Sequence, residues 1–160
     1  MDTGLISSDL TKIYTAAQIS AGLAPALGTI QAGANGCEYI LLKGVASTAV
    51  GDIVTYNSYS GVTVRGVANG IGHVGFAMAA NTAATTYSWY QIKGRATANV
   101  LTGFAADKAV YLTGTAGSVD DAAVSGDLVA NCTSVTAIAT PAAGQAYLDI
   151  QYPYCTDSLS

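Results

Sequence analysis

Charge is what this chain has least of. Charged residues fill 10% of its 160 positions, against roughly 25% in an ordinary soluble domain. The six cations, Lys12, Lys43, Arg65, Lys93, Arg95 and Lys108, stand singly and form no basic stripe. Binding along a phosphate backbone depends on clustered Lys and Arg, so direct nucleic-acid binding is not expected. His73 is the one histidine, which leaves no histidine-rich metal site. No G-x-S-x-G marks a nucleophilic serine. The three cysteines, Cys37, Cys132 and Cys155, lie far apart with no C-x-x-C. An odd, sparse set argues against a disulfide framework and for small buried thiols in a reducing compartment. Catalytic residues, cofactors and metals are therefore not expected.

Long apolar runs are missing too. Hydrophobic residues reach 51%, yet the most apolar stretch, "IYTAAQISAGLAPALGTI", is interrupted by Gln18, Ser20, Gly22, Pro25 and Gly28. A membrane-spanning helix needs about 20 mostly apolar residues, so no membrane partner is expected. The opening "MDTGLISSDL" carries Asp2 and Asp9 and no cation before Lys12, unlike a secretory signal. What fills the chain instead is Ala, Thr, Ser, Gly and Asn. With a net charge of only −4, such a surface is weakly solvated, and cover by neighbouring chains is the expected remedy.

Two regions separate by pattern. In residues 1–35, Ile6, Leu10, Ile13 and Ala17 fall at helical spacing with Tyr14 flanking. Ser7 or Ser8 suits a cap, Asp9 a first turn and Gly22 a stop. A short amphipathic helix is predicted near 8–20, followed by an extended linker, "AGLAPALGTIQAGANG". Residues 36–160 read as short β-prone runs between turn signals. The runs are "EYILLKGV", "DIVTYN", "VTVRGVA", "HVGFAMAA", "YSWYQIKGRATANV", "AVYLTG", "DLVANC", "SVTAIAT" and "AYLDIQY". Ala96, Ala98 and Val100 alternate with Thr97 and Asn99. Leu148, Ile150 and Tyr152 alternate with Tyr147, Asp149 and Gln151. The predicted fold is mainly β, an antiparallel sandwich or barrel-like domain with a short N-terminal helix or arm.

Four features suggest chemistry and are weighed against plainer readings. "GIGHVG" has the G-x-G-x-x-G spacing of a dinucleotide loop at Gly70, Gly72 and Gly75. That loop needs a helix at its third glycine and an acid about 20 residues on. Here Asn81 and β-branched threonines follow, and residues 90–96 hold no acid, so a turn leading into a strand is expected. His73 is read as a structural strand residue. Asp120, Asp121 and Asp127 lack EF-hand spacing and fit hairpin turns. In "TTYSWYQIKG", Tyr87 and Trp89 share one strand face while Tyr90 and Ile92 share the other. Exposed, these rings would stack on sugars; buried, they would form a core or a subunit contact.

The order of the pieces carries a resemblance. "DLTKIYTAAQ", "LGTIQAGANGCEYILLKGVAS" and "GDIVTYN", then "GHVGFAMAA", "YSWYQIKGRATANV", "GFAADKAVYLTGTAGSVDD" and "GQAYLDIQYPY", resemble head-decoration proteins of tailed bacteriophages from about residue 9 to 154. The resemblance implies a cement protein on the outer surface of an expanded head in the virion, often a homotrimer, bound to the major capsid protein and stabilising the shell. It supplies no catalytic residues. In that setting Leu5, Ile6, Leu10, Ile13 and Tyr14 are the expected partner-binding residues, the alternative being that this helix caps its own β core. A carbohydrate-binding β domain using Trp89, displayed on a virion or in a fibre or tail accessory, is the competing expectation.

Overall fold

The structure, a computed structural model, describes residues 9–81 and 83–157. It is mainly β. The elements run β1 (Tyr14–Thr15), α1 (Ala16–Ser20), β2 (Ile30–Ala32), β3 (Glu38–Lys43), β4 (Ile53–Tyr56), β5 (Thr63–Arg65), β6 (Ile71–Ala77), β7 (Thr86–Asn99), β8 (Ala109–Leu112), β9 (Val119–Asp120), β10 (Leu128–Ser134) and β11 (Gln145–Thr156). All pair antiparallel in one sheet, in the order β2-β3-β7-β6-β11-β10-β8-β9. β4 joins β6, β5 joins β4, and β1 joins β7. No helix of the described residues is long and apolar enough to cross a membrane.

β7 organises the molecule because its two halves have different neighbours. The first half lies between β3 and β6 and is buried on both faces. Leu41 opposes Trp89 on one face and Ile40 opposes Tyr90 on the other. This confirms the predicted division of the aromatic run and places it in the interior. The second half pairs with β11 from Lys93 to Asn99. There Ala96, Ala98 and Val100 point into the main core with Leu148 and Ile150, as the alternation predicts. The halves meet at Gly94, where φ is +92° and a Cβ would sit 2.6 Å from the Cys37 sulfur. The buried Gln91 amide bridges this break, donating to the Lys93 and Arg95 carbonyls at 3.0 Å each.

β11 makes the matching move. It runs beside β7 up to Gln151, then turns to pair with β6 from Tyr154 onward. Tyr152 sits at the handover with φ +51°, and such a bulge reverses which face later side chains take. The expectation that Tyr152 shares a face with Leu148 and Ile150 is therefore corrected. It lies outside, and Pro153 and Cys155 take the inner positions.

Three further expectations change. The helix predicted near 8–20 occupies only Ala16–Ser20. Upstream, Tyr14 is extended, pairs with Tyr87 and is buried. A helix this short has little stability of its own, so sheet pairing and burial win. Thr15 caps it in a reciprocal box with Gln18. Gly22, at φ +70°, ends it, its N–H bonding Ile19 and that of Leu23 bonding Gln18. The "linker" contains β2, which pairs with β3 from Ile30↔Ile40 to Ala32↔Glu38. Finally, "SVTAIAT" is a loop beyond Ser134. The Thr136 hydroxyl accepts from the Tyr147 N–H and donates to the Thr140 carbonyl, a local competitor to strand pairing.

Candidate docking surface

Sheet register brings together residues that the sequence scatters. Tyr56 of β4 opposes His73 of β6, His73 opposes Tyr154 of β11, and Tyr154 opposes Ala130 of β10. Directly opposed residues share a face. Their chain neighbours Val74, Cys155 and Val129 point into the main core, so this row faces away from it. The Tyr56 and His73 rings lie 5.5 Å apart. Further along the strands come Ile71, 68% exposed, and Leu128, 47% exposed, beside Tyr154 at 41%. A groove of about 470 Å³ runs along this face between Tyr111, Val124, Leu128 and Tyr154, and no charged side chain lines it. The lining mixes hydroxyls and backbone with apolar side chains and carries no charge, and depletion of charge is the compositional sign of an interface centre.

The other features settle into structural roles. Asn69, with φ +64°, carries the turn into β6, and the Gly70 N–H bonds the Val67 carbonyl. Gly75 lies where a Cβ would stand 3.1 Å from the Tyr90 Cβ. "GIGHVG" is thus a turn and a strand, with the glycine there for close packing. Gly75→Ala is expected to cost about 1–3 kcal/mol through overpacking, read as a lower urea midpoint at unchanged slope. The Asp120 carboxylate accepts from the Asp121 N–H, and the buried Asp127 carboxylate accepts from the Asn69 N–H at 2.5 Å. Among the described residues no three His, Cys, Asp or Glu side chains converge as metal ligands. Trp89 and Tyr90 are fully buried, so neither offers a sugar a ring to stack on.

Of the expected partner-binding residues, Leu5 and Ile6 lie outside the described residues. Tyr14 is buried, and Leu10 packs partly buried against the Tyr14–Tyr39–Leu41–Trp89 cluster. Ile13 is 37% exposed. Tyr14 and Leu10 are therefore engaged by the chain's own core.

Sequence reasoning missed two polar clusters. The buried Asp52 carboxylate accepts from Arg65 Nε at 2.9 Å, Asn99 Nδ2 at 2.8 Å and the Ala49 N–H at 3.0 Å. On the surface, Glu38 accepts from Lys93 Nζ at 3.0 Å and from the Tyr152 hydroxyl at 2.6 Å. The Tyr152 hydroxyl first, then the Lys93 ammonium, holds the Glu38 carboxyl below its usual range. A depressed carboxylate contributes stability above its unfolded pKa and loses it as pH falls through the folded value. Glu38→Gln should accordingly lower the melting temperature slightly at pH 7. The gap from wild type should close as pH falls below about 4.5. Melts across a pH series check this.

Comparison with known protein families, with curated proteins and with solved structures finds no match for this chain.

Proposed function

We propose that this chain is a non-enzymatic structural protein that decorates the outside of a phage head, binding the major capsid protein and cementing the shell. The observation that carries this reading is the face on which Ile71, His73, Leu128 and Tyr154 stand exposed beside a groove with no charged side chain in its lining. It agrees with the order of sequence pieces resembling head-decoration proteins, and with a surface too poor in charge to be well solvated alone. In this reading the face docks on coat subunits, copies associate into a trimer at three-fold positions, and the function is mechanical. Each bound oligomer raises the cost of separating the coat subunits beneath it, and many symmetry-related copies add avidity.

The test uses expanded heads of the phage that encodes the chain, prepared without it. Wild type should bind them and raise the temperature at which they break open. Leu128→Lys and Ile71→Glu should bind much less while melting like wild type, since both side chains are already solvent-facing. Absence of wild-type binding would overturn the reading, and full binding by both variants would remove this face from it.

A further inference from the structure

A second surface speaks to self-association, independently of what the first docks on. Among the described residues β2 is an edge strand, paired on one side only, with β3. The flanking bonds show which of its residues face inward. The Gly33 N–H bonds the Cys37 carbonyl, and the Leu41 N–H bonds the Thr29 carbonyl. In an antiparallel ladder such pairs recur every second residue. Thr29, Gln31 and Gly33 therefore turn their backbone toward β3, and Ile30 and Ala32 turn theirs outward. No hydrogen bond among the described residues reaches those outward groups. The side chains beside them are exposed, Ile30 by 55%.

Edge strands are ordinarily guarded by charge. β5 carries Arg65 and β9 carries Asp120, whereas β2 reads Ile30-Gln31-Ala32 between Thr29 and Gly33. The nearest acid on the next strand, Glu38, is neutralised by Lys93. No like-charge repulsion therefore opposes an identical edge.

We propose that β2 is a two-fold contact, in which a second copy of this chain adds its own β2 antiparallel with the dyad at Gln31. This register sets Ile30 opposite the partner's Ala32 and Ala32 opposite the partner's Ile30. Both are outward-facing positions, so each pair exchanges two N–H···O bonds. Four bonds form, and all eight outward backbone groups of the two strands are used. Registers centred on Ile30 or on Ala32 use half as many. The large Ile30 side chain falls beside the small Ala32 of the partner, so the faces match in size as well. With only three residues a side the contact is weak in solution and strengthens where copies are already held together.

The test is the mass of the full chain by sedimentation velocity over a dilution series. Wild type should show a species whose mass depends on concentration. Ala32→Pro removes only an outward N–H and leaves every bond to β3 in place. Ile30→Lys places a charge on the edge. In either variant the mass at high concentration should fall to half, whatever other contacts exist, with the circular-dichroism melt unchanged. A wild type that stays a single copy at its highest soluble concentration overturns the proposal, as does an assembly whose mass neither variant alters. Should Ala32→Pro fail to fold, Ile30→Lys decides alone. Failure here leaves the head-binding test untouched, since that test alters only Leu128 and Ile71.

Discussion

Asp52→Ala is expected to be among the most destabilising single changes in the molecule. The carboxylate is buried, and its partners come from separate parts of the fold. Arg65 is on β5, Asn99 at the end of β7 and Ala49 in the loop before β4. Arg65 also donates to the Ala116 carbonyl at 2.8 Å, which draws in the turn before β9. Alanine leaves the Arg65 guanidinium and the Asn99 amide facing an uncompensated gap. Removing one partner of a fully buried ion pair costs about 3–5 kcal/mol. The Arg65 side chain is 28% exposed, which puts the loss at the lower end, still a large part of a typical domain's total of about 5–15 kcal/mol. For a chain of this size that amounts to a melting temperature lower by about 10 °C. Asp52→Asn should cost nearly as much. It keeps the shape and an oxygen for the Arg65 and Ala49 donors, but its amide hydrogens then meet the Asn99 amide donor and the charge facing Arg65 is gone. A near-wild-type urea midpoint for either variant would show that the cluster is not the tie it looks to be.

Asp52 shows what the sequence does not disclose. Its partners Arg65 and Asn99 lie 13 and 47 positions away, and nothing local marks the aspartate as different from those in turns. The docking face is hidden for the same reason. Tyr56, His73, Ala130 and Tyr154 become a row only through register across four strands. Legibility follows locality. β7 is readable because its aromatic and alanine alternations are properties of the strand itself, and the mainly β class follows from many such runs. Tyr152 is misplaced because a positive φ at a non-glycine residue leaves no trace in an alternating pattern. β2 is missed because three residues among alanines and glycines carry too little periodicity to register. It forms because β3 offers it a ladder and because Gln31 is buried there. "SVTAIAT" fails in the opposite direction. Its alternation is real, but the Thr136 hydroxyl and the Tyr147 backbone satisfy each other first.

Removing residues 2–20 is expected to destabilise the β domain itself, although pattern alone makes that stretch look like a detachable arm. It contains β1, whose Tyr14 pairs with Tyr87 and is buried against Trp89, Leu41 and Tyr39. It also contains Leu10 and Ile19, partly buried on the same cluster, and Lys12, whose ammonium lies 5.2 Å from the centre of the Tyr14 ring. At about 1.5–3 kcal/mol for a fully buried large side chain, and less for the two partly buried ones, the loss is about 3–6 kcal/mol. Trp89 is the chain's one tryptophan and is fully buried, so uncovering its face should move its emission to longer wavelength before any denaturant is added. Wild-type emission together with an unchanged urea midpoint would mean that this cover contributes nothing. The outcome also decides how partner binding by the N-terminus has to be tested. A deletion through residue 20 removes Leu5 and Ile6 together with the Trp89 cover, so a loss of head binding would confuse a missing contact with a damaged fold. A deletion of residues 2–8 removes Leu5 and Ile6 and keeps Leu10, Tyr14 and Ile19, and its Trp89 emission should stay at the wild-type wavelength. Against that folded background, weaker binding to heads would assign Leu5 and Ile6 a role in docking, and unchanged binding would leave docking to the Tyr154 face.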